Sequence, residues 1–419
     1  MVRLLLFLSL FLILQPAIAE NGRVDNAIFH PQFKTLQVKV NGNDQLPPVI
    51  MAGSDDVIEI SFDELASERR FMRYELLHCN ALWRQDKLLP PEYVSGFNEG
   101  VIEDYRMSEA TTVQYIHYTL TIPNPDMSIK LSGNYLLRVY DEALPGETLL
   151  QVRFSIAEPL MAVSASVTSR TDIDHNDSHQ QLSLAVDSKG ISMNNVMNDI
   201  IVTVEQNGRV DNSVAITHPS RIAGSVAYWE HVPQLIFPAG NEYRRMEVIS
   251  TTYPGMGVES VEYADPYYHF VLKPDSPRTE SSYIYDQTQH GRFRIREYNS
   301  DDSDVEADYV LTHFALDMDE IPGKDLFIDG DLTLRRFGPE SLMVYNRATG
   351  QYEASLLLKQ GAYNYEYLAV DRGSQSGSAS IVEGDKYQTI NEYLIKVYYR
   401  EPGSRYDRLV AVTSVLSGR

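Results

Sequence analysis

The sequence predicts an all-β protein of three immunoglobulin-like β-sandwich domains in series, and three observations predict it. Apolar and polar residues alternate with period two in short runs set about ten residues apart. Tyr, Val, Ile and Thr, which favour half-buried pleated surfaces, are used heavily, with 27 tyrosines in 419 residues. No helical period runs longer than two turns, and the best short helix candidate is 63–72. Composition shifts and proline-rich exits divide the chain into a leader at 1–19 and blocks at 20–158, 159–290 and 291–419.

In the first block, alternation begins at Ile28 and returns at Leu36, Val38 and Val40. Pro47-Pro48 and Gly53-Ser54-Asp55 interrupt it before 57–62, and 73–80 reads as the next strand. In 115–122, Ile116, Tyr118, Leu120 and Ile122 take one face while Tyr115, His117, Thr119 and Thr121 take the other. Pro123-Asn124-Pro125 ends that run, because proline cannot donate to a ladder and restricts the residue before it. Ser132-Gly133-Asn134 turns the chain into 135–140, and Pro145-Gly146 turns it into 150–156. There Leu150, Val152, Phe154 and Ile156 share a face, and Glu158-Pro159 is the exit.

The second block offers strands at 161–169, 182–186, 200–205 and 214–219. Asn207-Gly208 suits the hairpin connection between the last two, since both residues accept positive φ. A strand at 243–250 follows Phe237-Pro238-Ala239-Gly240-Asn241, and the polar stretch 273–282 reads as a long loop or boundary. The third block offers 293–298, an acidic loop at 300–304, then 309–316, 342–345, 352–358, 363–370, 393–400 and 408–415.

The formal net charge is −22, which repels phosphate backbones and anionic lipid and disfavours nucleic-acid and peripheral membrane binding. Arg3, an apolar run of eleven from Leu4 to Leu14, and Ala17-Ile18-Ala19 form a cleavable signal peptide. A bilayer span needs about 20 apolar residues, and no longer run follows, so the mature chain is expected to be exported and soluble. The single cysteine, Cys79, has no partner for an internal disulfide and is expected to be buried.

Catalytic signatures are missing. Neither Gly-x-Ser-x-Gly nor His-Glu-x-x-His occurs, and there is no phosphate-binding glycine loop. His175 and His179 lie in a polar loop, where four-residue spacing does not make neighbours. Asp172-Ile173-Asp174-His175-Asn176 starts like a calcium loop but has Asp177 where glycine is needed and Ser183 where a carboxylate is needed. Clustered carboxylates at 300–308 read first as a solvated loop and only secondarily as a calcium site. No catalytic, cofactor-binding or metal-binding residue is therefore expected. What stands out instead is the loop 81–105, where Trp83, Tyr93 and Phe97, with Asn98 and Tyr105, either seal one end of the sandwich or contact a partner.

Several clusters carry a resemblance: Ser61-Phe62-Asp63, Tyr74 through His78-Cys79 to Trp83, Glu92-Tyr93, Gly96-Phe97, Glu99-Gly100, Asp104-Tyr105, Tyr115, Tyr118 and Leu131-Ser132-Gly133-Asn134-Tyr135. Phe237-Pro238, Glu242-Tyr243-Arg244-Arg245 and Gly361-Ala362-Tyr363-Asn364-Tyr365-Glu366-Tyr367 extend it. In order and spacing these residues resemble the plug proteins of the bacterial type IX secretion system. The resemblance implies a periplasmic, non-enzymatic protein that binds and occludes the periplasmic mouth of a very large outer-membrane translocon barrel, without inserting into the membrane itself. A second, local resemblance, from Asp329-Gly330-Asp331 through Met343-Val344-Tyr345-Asn346 to Tyr365, is to immunoglobulin-like glycogen-binding modules. Those modules stack sugars on tryptophan, and here Trp83 and Trp229 both fall outside that block, so kinship of fold is the expectation and a secreted glycan-binding module the alternative function.

Overall fold

A computed structural model describes residues 24–191 and 199–418; the expected signal peptide lies outside them. The described chain is all-β, and its two α-helical segments, Pro90–Tyr93 and Ser303–Glu306, are one turn each. Most of the alternating runs form strands within a few residues of where the pattern places them.

The first sandwich packs two sheets. One orders Ala27–Ile28, Leu144–Ala157, Gly133–Asp141, Met72–Cys79 and Glu99–Val101, with Val49–Met51 parallel to Leu144–Ala157. The other orders Phe33–Val40, Ile58–Glu64, Ile116–Ile122 and Asp104–Met107. Ile116, Tyr118, Leu120 and Ile122 all point into the core between them, with Phe62, Leu76, Tyr135, Leu137, Val152 and Phe154.

Sheet membership does not follow the order of the other two blocks. Glu392–Tyr399 and Arg408–Leu416, expected in the third block, pair into one sheet with Ile200–Gln206 and Val214–Ile216 of the second. This sheet faces another made of Ala162–Thr168, His179–Asp187, Val226–Trp229, Arg221–Ala223 and Ile236–Pro238. Leu182, Leu184, Val202, Val204 and Trp229 share their core with Tyr393, Ile395 and Val397 from the far end of the chain. Conversely Arg244–Glu247, Val258–Ala264 and Tyr267–Leu272, expected in the second block, belong to a ten-stranded sheet with Tyr309–Asp317, Lys324–Asp329, Leu342–Asn346, Gln351–Lys359 and Gly361–Asp371. Met246 and Tyr363 near one end of that sheet share a core with Val258 and Phe270 at the other, so the sheet curls on itself. An expected boundary at 290 therefore cuts through shared sheets. The physical reason is that period-two alternation tells which face of a strand is buried, but not which strand lies beside it.

The helix expected at 63–72 is not there. Asp63 and Glu64 finish the strand Ile58–Glu64, and Met72 opens the next. Strands not anticipated from the sequence include Glu99–Val101 and Asp104–Met107 in the expected loop 81–105, and the pair Arg221–Ala223 and Val226–Trp229. They also include the hairpin of Val258–Ala264 with Tyr267–Leu272, whose outer strand carries Glu259, Glu262 and an exposed Tyr263, and Lys324–Asp329. Asn207 and Gly208 do adopt positive φ, within a longer connection than a tight turn.

Deleting residues 391–419 should remove half of the second sandwich's inner sheet. Hydrogen exchange is then expected to lose protection across Ile200–Gln206 while the first sandwich keeps its own; retained protection in Ile200–Gln206 would contradict the shared core.

Candidate functional site

The three units meet through buried charge. Asp63 follows Phe62 on the strand Ile58–Glu64, so Phe62 enters the first core and Asp63 faces outward. Outward here means into the third unit. Asp63 Oδ2 accepts from the Lys359 ammonium at 2.6 Å and from the Tyr309 hydroxyl at 2.7 Å. Its other oxygen lies 2.6 Å from His117 Nδ1, and both Asp63 and Lys359 are buried. Lys359 also donates to the Asp304 carbonyl at 2.6 Å and sits 4.1 Å from the centre of the Tyr115 ring. Burial alone would raise the Asp63 carboxyl, but the Lys359 charge and the His117 hydrogen bond together hold it below the ordinary carboxylate range. The strand face bearing Tyr115 and His117, which the alternation leaves polar, is thus a second buried face.

The acidic segment at 300–308 works as a clasp on the same joint. Arg106 of the first unit pairs with Asp302 and Asp304. Asp308 accepts backbone N–H groups from Thr112 at 2.7 Å, Val113 at 3.0 Å and Tyr309 at 2.8 Å. Among the described residues no group of three or more His, Cys, Asp or Glu is arranged to hold a metal. His179 instead pairs with Asp174 at 2.7 Å.

The second and third units are joined through one such pair, Arg209 with Glu366 at 3.6 Å. Arg209 forms a two-point pair with Asp211 and donates to the Gly377 carbonyl at 2.8 Å. Arg335 reaches Asp331 at 2.8 Å, Asp329 at 3.4 Å and the His290 carbonyl at 2.6 Å. Carboxylates crowd these two guanidinium groups, and burial pushes Glu366 up to about 7 against the pull of Arg209. Nearby, Glu383 is buried between Arg244 and Arg278, which outweigh burial and hold it below its ordinary value. The stretch 273–282, expected as a boundary, is tied down here through Arg278, which also donates to the Glu242 carbonyl at 2.7 Å.

The first and second units share a polar network as well. Asn134 Oδ1 accepts from Ser155 and from Tyr398, each at 2.8 Å, and Asp407 accepts the Ala81 N–H at 2.9 Å while pairing with Arg400 at 2.7 Å. Gly133 is required beside this network. Its φ is +135°, and a Cβ there would lie 2.6 Å from His78 Nε2.

The five candidate contact residues separate into two groups. Trp83 is buried, adopts φ 59°, and carries the Arg153 guanidinium over its ring at 3.7 Å. Tyr93 is buried in the first core and donates to the Leu76 carbonyl at 2.9 Å, which Asn98 also reaches, at 3.1 Å. Phe97 and Tyr105 are different, with 72% and 38% of their surface exposed. Cys79 packs against Trp83 and Leu136, and burial pushes its thiol up to about 12, an unreactive value at neutral pH. His78 lies on the opposite face, 2.6 Å from Asp86. Trp229 is buried in the second core, so neither tryptophan is exposed.

Comparison with known proteins joins these observations. The profile of the type 9 secretion system plug protein 1st domain matches residues 33–158, the first sandwich. The first sandwich carries the type 9 secretion system plug protein 1st domain, which supports the type IX secretion system plug family for this chain. A solved structure of a hypothetical protein from Parabacteroides merdae ATCC 43184 is 44% identical, covers 94% of this chain and 100% of that one, and superposes with a TM-score of 0.93. A biofilm-associated protein BSP domain (8% identity, 94% of this chain, 60% of that chain, TM-score 0.19) shows no shared fold. Neither does the Pseudomonas fluorescens alkylpurine DNA glycosylase AlkC (13% identity, 30% of each chain, TM-score 0.17). No curated protein gives a significant match. Some of the plug-family residues read from the sequence sit at the joints: Asp63, Gly133, Asn134 and Glu366.

Asp63→Asn leaves Lys359 buried without a counter-charge, and a loss of about 3–5 kcal/mol is expected on that basis. Thermal unfolding should show it as a clear fall in Tm, whereas an unchanged Tm would mean the joint is solvated. Glu366 gives a pH signature of definite sign. Its folded value is raised above its unfolded one, so its contribution is fully present below about pH 4.5 and is lost as pH rises through about 7. Glu366→Gln should therefore flatten the fall in stability between pH 5 and 8, read from urea midpoints across that range.

Proposed function

We propose that this protein is the periplasmic plug of a type IX translocon: exported through the signal peptide at 1–19, it binds the outer-membrane barrel and closes its periplasmic mouth without chemistry. The observation that carries the reading is the plug-family first domain on a body whose units are locked by buried ion pairs. A plug has to resist deformation by a wide pore, and joints that open only by stranding buried charges resist it. Sealing also calls for a broad interface in place of a deep pocket.

The contact surface we propose is one edge of the first sandwich. Glu99–Val101 and Asp104–Met107 are consecutive in the chain, and each is the outermost strand of its own sheet. Phe97 precedes this edge, and Tyr105 and Met107 lie on it, with Met107 44% exposed. Phe71 is 58% exposed, and the Arg69 guanidinium bridges it to Tyr105, at 4.8 Å and 4.4 Å from the two ring centres. Exposed aromatics with a stacked arginine are the composition of interface hot spots.

Affinity capture of the native protein from solubilised outer membranes should recover a very large barrel protein, and failure to recover one would count against the plug reading. Phe97→Asp combined with Tyr105→Asp should keep Tm within a few degrees yet reduce recovery at least tenfold. Undiminished recovery would leave the plug reading standing and move its contact surface elsewhere.

A further inference from the structure

Between the first and third units, beside the Asp63–Lys359 joint and apart from the proposed contact edge, lies a cleft of 450 Å3. That volume is within the range of small-ligand sites, about 300–1,000 Å3, and such sites favour interfaces between units. The first unit supplies Phe29 and Lys34, and the third supplies Leu332, Leu334, Arg336 and Leu357. Slightly more than half of its lining is apolar, and Phe29, 46% exposed, stands at its edge.

Both walls hold backbone in the left-handed region. Thr35 has φ 52° within the irregularity between Lys34 and Gln37, and its hydroxyl lies 2.5 Å from that of Tyr309. Opposite it, Leu334 and Arg335 have φ 54° and 51° in succession. A β-branched residue there is a true outlier, and such outliers collect where a binding surface is shaped.

The polar groups give the cleft a sign. Lys34 is half-buried, and burial pushes its ammonium below the ordinary lysine value against the longer-range attraction of Glu340. Among the described residues no carboxylate comes within ion-pair distance of Lys34 or of the exposed Arg336 guanidinium. This contrasts with the neighbouring cleft of 190 Å3, where Arg292 is paired with Glu392 and Arg335 with Asp331. Of the two carboxylates on the lining, Asp331 is already taken by Arg335 and Glu340 faces two cations, so Lys34 and Arg336 beside the leucines select a molecule with an apolar body and an anionic head.

We propose that this cleft binds a fatty carboxylate, its acyl chain lying along Leu332, Leu334 and Leu357 and its head between Lys34 and Arg336. Its back wall is Lys359, the partner of Asp63, so an occupied cleft bridges the first and third units and stiffens the joint. The inference stands apart from the plug reading, since it depends on the cleft alone.

The test is calorimetric titration of the whole mature protein with laurate, with dodecyltrimethylammonium as the chain-matched cation and lysophosphatidylglycerol as the lipid-borne anion. Laurate is expected to bind with a negative heat-capacity change and to raise Tm. The cation should bind at least tenfold more weakly, and Lys34→Gln and Arg336→Gln should each cost laurate about tenfold. Tighter binding of the lysolipid than of laurate would identify a membrane lipid as the source of the chain. No laurate or lysolipid binding at millimolar concentration, equal affinity for anion and cation, or unchanged affinity in both variants would each overturn the proposal.

Discussion

A charge buried between two sandwiches constrains everything around it, and in this protein that charge is Asp63. The Lys359 ammonium, the Tyr309 hydroxyl and His117 surround it, so separating the first unit from the third strands an ammonium and a carboxylate at once. Replacing such a pair with well-packed apolar residues is often neutral or stabilising, so the pair is better understood as specifying one arrangement than as adding net stability. A greasy joint tolerates slippage, whereas a joint whose hydrogen bonds are satisfied in a single register does not. The Arg209–Glu366 pair repeats the device between the second and third units, while the ion pairs of Arg335 and of Glu383 brace the third unit itself.

The consequence is a body without a hinge at these joints, which suits a protein that acts by occupying space. The charges buried at these joints are committed to one another, and the single thiol is buried and held protonated. Strongly shifted side chains usually suggest catalysis. Here the shifts at Asp63, Glu366 and Glu383 come with burial and with the ion pairs that hold sheets and units together.

Much of the fold was legible in the alternation. Ile116, Tyr118, Leu120 and Ile122 declare their face, and Leu150, Val152, Phe154 and Ile156 do the same. The failures share one cause. The stretch 63–72, the best short helix candidate, instead ends one strand and leads to the next, and its Asp63 meets Lys359 nearly three hundred residues away. The acidic loop at 300–308 looks solvated because Arg106, which pairs with it, lies nearly two hundred residues earlier in the chain. Of the candidate contact residues, Trp83 and Tyr93 cannot be told from Phe97 by residue type. All are aromatic loop residues, and only packing separates a ring under Arg153 from a ring in solvent.

By itself the sequence determined the all-β class, the faces of most strands, the absence of recognisable catalytic motifs and, through dispersed markers, the plug family. Those are properties of local periodicity and residue identity, which neighbouring residues are enough to express. The tertiary structure alone decided that the last two strands complete the second sandwich, that Asp63 is a joint, and which aromatics remain exposed. Each of these depends on pairing between residues far apart in the chain, and alternation carries no record of the partner.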